Sequence, residues 1–419
     1  MTIVTDFLMV HDKRRIAIIT LNRPDALNAL NLEMVAAIQA CLDKWAIDDS
    51  VAAVLLCGAA DKAFCAGGDI RGLYHGYNPK IFPNPTAKAF FSTEYALCKQ
   101  IKSYTKPIIV WADGIVMGGG MGLAVASSHR IVTQTTMMAM PEISIGLFPD
   151  AGGSYFLRHM PNKIGLFLGL TGARINGTDA LALGVADFGM ASDDFDVLIQ
   201  ALTTADWSDD ATKNHQMLNA LLGQLHHNHT LPTGWLLPHR DEIERMMQQA
   251  GDLAAFDTLA RLGFNIEYIQ QAFKTYIAGS PTSAAITWHM ANQVENMSFD
   301  EVMDLEYIVA IHCSHNGEFA EGVRALLIDI EYIQQAFKTY IAGSPTSAAI
   351  TWHMANQVEN MSFDEVMDLE YIVAIHCSHN GEFAEGVRAL LIDKDKNPKW
   401  QYTPDSLPDG YIKSHFKAW

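Results

Sequence analysis

Two rhythms of apolar and polar positions run along this chain. Arg15–Leu21 is short, apolar and β-rich and predicts a strand, closed by Asn22-Arg23-Pro24 because proline cannot extend a ladder. Asn31 then stands where a helix N-cap belongs. Met34, Ile38, Cys41, Leu42 and Trp45 follow on one helical face. Residues 51–57 and 107–111 are continuous apolar runs of strand length separated by helical patterns, which predicts parallel pairing through right-handed crossovers. A glycine-rich turn within 114–130 opens another helix, and residues 131–133 predict the next strand. From Ile164 onward the pattern is mostly helical. Residues 196–229 show no clear core face and predict a surface excursion. The boundary between an α/β part and a helical part is expected near residues 190–230.

Residues 266–329 are identical, letter for letter, to residues 330–393. Solenoid repeats diverge and come in threes or more, so a perfect pair reads as a very recent tandem duplication or an error of gene assembly. Two copies with the same apolar faces compete for one cleft. One copy is therefore expected to dock and the other to pack less well, swap to a neighbouring subunit or stay partly loose. The expected organisation is a core at 1–200, a helical and loop connection at 201–265, copy one at 266–329, copy two at 330–393 and a tail at 394–419.

Composition narrows the function. The 419 residues are 49 % hydrophobic, and 29 basic against 47 acidic residues give a formal charge of −18. A chain this acidic repels nucleic acid and anionic membranes as a whole, so an anionic ligand must be held locally. The longest uncharged apolar stretch, residues 114–128, is too short to span a bilayer. The N-terminus lacks the basic start of a secretory signal. Six unpaired-looking cysteines, Cys41 and Cys98 in apolar helical positions among them, point to buried thiols in a reducing cytoplasm.

Three segments could carry chemistry: Ala63-Phe64-Cys65-Ala66-Gly67-Gly68-Asp69-Ile70, Gly118-Gly119-Gly120-Met121-Gly122, and Pro141-Glu142 through Phe148-Pro149-Asp150-Ala151-Gly152-Gly153. Glycine lets a ligand approach the backbone, and two amides converging on one point make an oxyanion hole. Any one cluster alone reads equally as a tight turn. His226-His227-Asn228-His229 has no partner of metal-ligand spacing and reads as a loop, so no metal is expected. Ala151-Gly152-Gly153-Ser154 lacks the Gly-Lys-Ser/Thr of a phosphate loop, and no Gly-x-Ser-x-Gly elbow occurs. Met137, Met138 and Met140 read as core.

Taken together, the three segments resemble the crotonase, or enoyl-CoA hydratase/isomerase, superfamily over residues 15–190. That resemblance implies an α/β fold, a ββα spiral core, here followed by a mainly helical C-terminal region. It implies an acyl-CoA substrate whose thioester carbonyl is held by the amides of Gly68 and Gly119, with Ala66 along the CoA arm. Hydratases of the superfamily carry a catalytic glutamate where this chain has Gly122, and usually glycine where it has Asp150. The Met-Gly-Gly-Gly-x-Gly, Met-Pro-Glu and Gly-Leu-Phe-Pro-Asp-x-Gly-Gly pattern is instead similar to the 3-hydroxyisobutyryl-CoA hydrolase subfamily. So are Phe90 to Tyr95 and the Ser280-Pro281-Thr282-Ser283 and Glu321-Gly322-Val323-Arg324-Ala325 motifs of the repeat.

The resemblance implies thioester hydrolysis in valine breakdown, with Glu142 as general base or nucleophile, Asp150 orienting water or the substrate hydroxyl, and Glu94 contacting substrate. CoA is part of the substrate and no further cofactor is expected. If Glu142 and Asp150 sit close, their titrations couple. Alternatives are a hydratase or isomerase reaction and a CoA-binding protein without catalysis. Crotonase-type cores often assemble into homo-oligomers, which is expected here as well.

Overall fold

The computed structural model describes residues 1–10, 14–60, 62–227 and 231–327, and beyond these 346–347, 350, 353–354, 357, 361, 363–379, 382–393, 398–399, 401, 408 and 410–417. The chain divides into two compact units, Met1–Leu326 and Leu327–Trp419.

In the first unit ten strands form two sheets. A six-stranded sheet has the order β1 (Ile3–Met9), β2 (Arg15–Leu21), β3 (Val51–Gly58), β5 (Ile108–Ala112), β7 (His129–Val132), β10 (Phe188–Gly189). A four-stranded sheet has β4 (Ala63–Cys65), β6 (Ile115–Met117), β8 (Met137–Ala139) and β9 (Ile175–Asn176). Consecutive strands alternate between them: β3, β5 and β7 pair in parallel in the large sheet, while β4, β6 and β8 pair in parallel in the small one. Each turn of the spiral therefore delivers one strand end to the small sheet, where the chemistry gathers.

The helices of this unit are α1 (Leu32–Ala46), α2 (Ile70–His75), α3 (Pro85–Lys102), α4 (Gly119–Ala126), α5 (Gly153–Arg158), α6 (Ile164–Thr171), α7 (Gly177–Ala182), α8 (Phe195–Thr204), α9 (Ala211–Leu225), α10 (Arg240–Gln249), α11 (Leu253–Leu262), α12 (Glu267–Ala278), α13 (Pro281–Gln293), α14 (Phe299–His315) and α15 (Glu318–Leu327). The Asn31 side chain caps α1 by accepting from Met34 N at 2.9 Å, as its position predicts.

The central strands β3 and β5 of the large sheet are buried on both faces, which is why β3 reads as one apolar run. From Ala53 onward alternation sends Val54 and Leu56 into one core and Ala53, Leu55 and Cys57 into a second. That second face corrects the expected surface excursion at 196–229. Leu198 and Leu202 of α8, Trp207, and Leu218 and Leu222 of α9 close over it, all buried. Each of these leucines contributes roughly 1.5–3 kcal/mol by leaving water. Their face was hard to see because each helix supplies only two strong positions.

The first repeat copy completes the main core. Ile269, Phe273, Met290, Val302, Met303, Ala310, Phe319 and Val323 all belong to it. In the second unit, helices span Phe363–His379 and Glu382–Val387 of copy two. Residues 330–345 of copy two and 394–397 of the tail lie outside the described residues, as do Asn228 and His229 of the histidine run. Cys41, Cys57, Cys65, Cys98 and Cys313 are free thiols. Cys57, Cys65, Cys98 and Cys313 are buried, while Cys41, expected in the core, is half-buried. Of the three methionines expected in the core, Met138 and Met140 are buried and Met137 is half-buried. Among the described residues no helix is long and apolar enough to cross a membrane.

Candidate active site

Because β4, β6 and β8 run in parallel side by side, their C-terminal ends deliver three segments to one edge: Ala66-Gly67-Gly68, Gly118-Gly119 and Pro141-Glu142. Gly67 and Gly118 both take positive φ, 106° and 50°, where a side chain would strain the turn. They also stand face to face, since a Cβ on Gly67 would lie 3.7 Å from Gly119 N. Gly119 is the first residue of α4, so its N–H has no partner within the helix, and no main-chain bond uses the N–H of Gly68. Among the described residues, neither N–H has a main-chain partner, and both glycines line the same edge.

A cavity of about 720 Å³ opens on this edge, lined by all six expected residues, Ala66, Gly68, Glu94, Gly119, Glu142 and Asp150. Phe319 of the first repeat copy also lines it. Glu94 comes from α3, Glu142 starts a 3-10 turn after β8, and Asp150 sits on the turn before α5. All three are at least 95 % buried. Glu94 Oε1 and Glu142 Oε2 have no hydrogen-bond partner. A Cβ on Gly118 would come within 2.8 Å of Glu142 Oε1, and one on Gly119 would overlap Glu94 Oε1, so both glycines are spaces these carboxyls occupy.

Burial dominates the electrostatics. It pushes Glu94 and Glu142 well above the usual carboxylate range, and the nearby Asp150 charge pushes both further. Asp150 is raised to about 6 by burial, offset by the Tyr95 hydroxyl, which donates to its Oδ2 at 2.5 Å. The ordinary value is 3.8, so the folded state holds a proton that the unfolded chain releases between about pH 4 and 6. Stability is therefore lost as pH rises through that window. Asp150→Asn, which keeps an acceptor for Tyr95, should raise stability at pH 8 by up to about 3 kcal/mol and leave it unchanged near pH 4. Denaturant unfolding of both proteins at the two pH values checks this, and an equal gain at both would refute it.

Two features of the site escaped the sequence. Tyr95 lies beside Glu94 in the motif, but its role became visible only in the bond to Asp150. Glu306 is wholly buried behind the Asp150 turn. Its signal was legible in principle, as a glutamate on the apolar stripe of Val302, Met303, Ala310 and Cys313. Gly122 has a packing reason as well. A Cβ there would lie 2.6 Å from Ala151 O and 2.8 Å from Ala151 Cβ, so the loop carrying Asp150 fills the space of a side chain at 122. The histidine run is used structurally: His226 Nδ1 accepts from Gly189 N at 2.8 Å. Among the described residues no cluster suits a metal ion.

Known proteins share this architecture. The family described as enoyl-CoA hydratase/isomerase matches residues 16–332 and again 330–416, the second match starting at copy two. A Danio rerio protein named 3-hydroxyisobutyryl-CoA hydrolase, mitochondrial, is 38 % identical over 312 residues, which is 74 % of this chain and 80 % of that protein. Its Xenopus laevis namesake is 33 % identical over 406 residues, 96 % and 86 % of the two chains. Among solved structures, a carnitinyl-CoA dehydratase from Mycobacterium thermoresistibile is 26 % identical with a TM-score of 0.68, covering 100 % of this chain and 96 % of its own. An enoyl-CoA hydratase from Rhodobacter sphaeroides is 28 % identical with a TM-score of 0.65, covering 99 % and 97 %.

Proposed function

The chain belongs to the enoyl-CoA hydratase/isomerase family, and from that premise we propose that it hydrolyses the thioester of 3-hydroxyisobutyryl-CoA, giving 3-hydroxyisobutyrate and CoA. One observation carries the reading: Gly68, Gly119, Glu142 and Asp150 line one cavity, while Gly122 has neither a side chain nor room for one.

The chemistry follows from the groups present. A thioester needs a polarised carbonyl, a nucleophile and a proton for the leaving thiolate. The N–H groups of Gly68 and Gly119 donate to the oxyanion, each such donor commonly contributing about 3–4 kcal/mol. Glu142 removes a proton from water as it attacks, or attacks itself to give an anhydride that water then opens. Asp150, held by Tyr95, orients the water or the substrate hydroxyl. The tetrahedral intermediate collapses, the C–S bond breaks, and the departing sulfur takes up the proton. Water is the only co-reactant, and CoA leaves as product.

We further propose a place in valine breakdown, supported by the substrate. We also propose a reducing, cytoplasmic location, supported by the free thiols of Cys41, Cys57, Cys65, Cys98 and Cys313, and a homo-oligomer, by analogy with crotonase-type assemblies. Free CoA, followed with a thiol reagent, should appear from 3-hydroxyisobutyryl-CoA, with no hydration of crotonyl-CoA. Hydration without CoA release would instead favour a hydratase working through Glu142.

A further inference from the structure

We infer that Glu306, supplied by the first repeat copy, is a positioning residue that holds the turn carrying Asp150 in its working shape. The inference rests on the hydrolase reading above. Asp150 belongs to no regular element. The two residues after it, Ala151 and Gly152, both have positive φ, 52° and 87°. A non-glycine residue in that region persists only when its surroundings hold it. Glu306 supplies that hold. Its Oε2 accepts from Gly152 N at 2.7 Å and its Oε1 from Ser154 N at 2.9 Å, so both oxygens are committed to the main chain of one turn. Gly153 N closes the turn on Asp150 O at 2.7 Å.

The rest of α14 reaches the same place. The Phe299 ring lies over Gly152, where a Cβ would come within 2.8 Å of it. Tyr307 meets Tyr95 edge-on at 6.5 Å, and Tyr95 in turn donates to Asp150. One helix thus supports Asp150 from two sides, through the amides and through the tyrosine. Burial raises Glu306 to about 8, opposed by the amide bonds, which marks it as an unusual choice for a merely packed position. The identical residue of copy two, Glu370, is exposed.

The test uses the full chain and four variants: Glu306→Gln, Glu306→Ala, Glu370→Gln and the double Glu306→Gln/Glu370→Gln. For each, kcat and KM for CoA release are measured beside the unfolding temperature. Glutamine keeps one acceptor, so Glu306→Gln should lower kcat about tenfold and Glu306→Ala about 100-fold, with KM within about twofold of the parent. Glu370→Gln should match the parent, and the double variant should match Glu306→Gln. Parental kcat in Glu306→Gln and Glu306→Ala would overturn the inference. So would a loss that merely tracks the fraction of folded protein. Loss confined to the double variant would overturn the assignment to copy one. A parent chain that releases no CoA would overturn the hydrolase reading and this inference together, whereas an active parent with unaffected variants sinks this inference alone.

Discussion

Glu142→Gln should lower kcat for CoA release by about 10²–10⁴-fold, the range expected when one positioned acid–base group is removed. Glutamine matches the shape of glutamate, and Glu142 Oε2 makes no hydrogen bond that the change would break. The loss should therefore fall on chemistry, with KM little altered and the fold intact. The direction with pH follows from the same environment. Burial and the Asp150 charge raise Glu142, so in the parent the base form grows as pH rises, and activity should rise with it. The residual rate of the variant should be flat over that range. Hydroxylamine added in a single turnover separates the two roles. A hydroxamate at Glu142, found by peptide mass, means direct attack; its absence with normal turnover means a general base. A variant that retains parental kcat would remove Glu142 from the reaction.

Gly122→Glu is the second large effect, and its interest lies in what it should fail to do. Placing a glutamate at the position hydratases use ought to create a hydratase if that residue were all that was missing. Here the added Cβ meets Ala151 O and Cβ below 3 Å, and these are main-chain-bound atoms that cannot swing aside. The turn at 149–153 must move, taking Asp150 with it. We expect CoA release to fall at least 100-fold, consistent with an angstrom-scale misplacement, and stability to drop by about 1–3 kcal/mol. Crotonyl-CoA, followed by loss of its enoyl thioester absorbance, should remain unhydrated. Measurable hydration with an unchanged unfolding temperature would show that the loop is not the obstacle.

Much of the fold was legible along the chain. The runs at 15–21, 51–57 and 107–111 are strands of the large sheet, and the helix after Asn31 stands where its cap places it. The small sheet was not legible as strands, since β4, β6 and β8 have three residues each, too few for a period. Their positions showed instead through the glycine and carboxylate motifs at their ends, and so the residues of the site were named in advance. What those residues touch was hidden. Tyr95 and Asp150 are 55 positions apart, and Glu306 lies more than 150 positions from the amides it holds.

The repeat marks the limit most sharply. Phe299–His315 and Phe363–His379 have the same seventeen letters and are both helices, so the sequence by itself determined their local structure, through propensity and period. Their environments differ. Glu306 and Ala310 are buried in the first, whereas Glu370 and Ala374 are exposed in the second, where Val373 is buried instead. Identical side chains carry identical local preferences, but burial is a property of what surrounds them. Only the tertiary structure decided that the first copy stands behind the cavity, because Gly152, Ser154 and Tyr95 pack against its Glu306 and Tyr307.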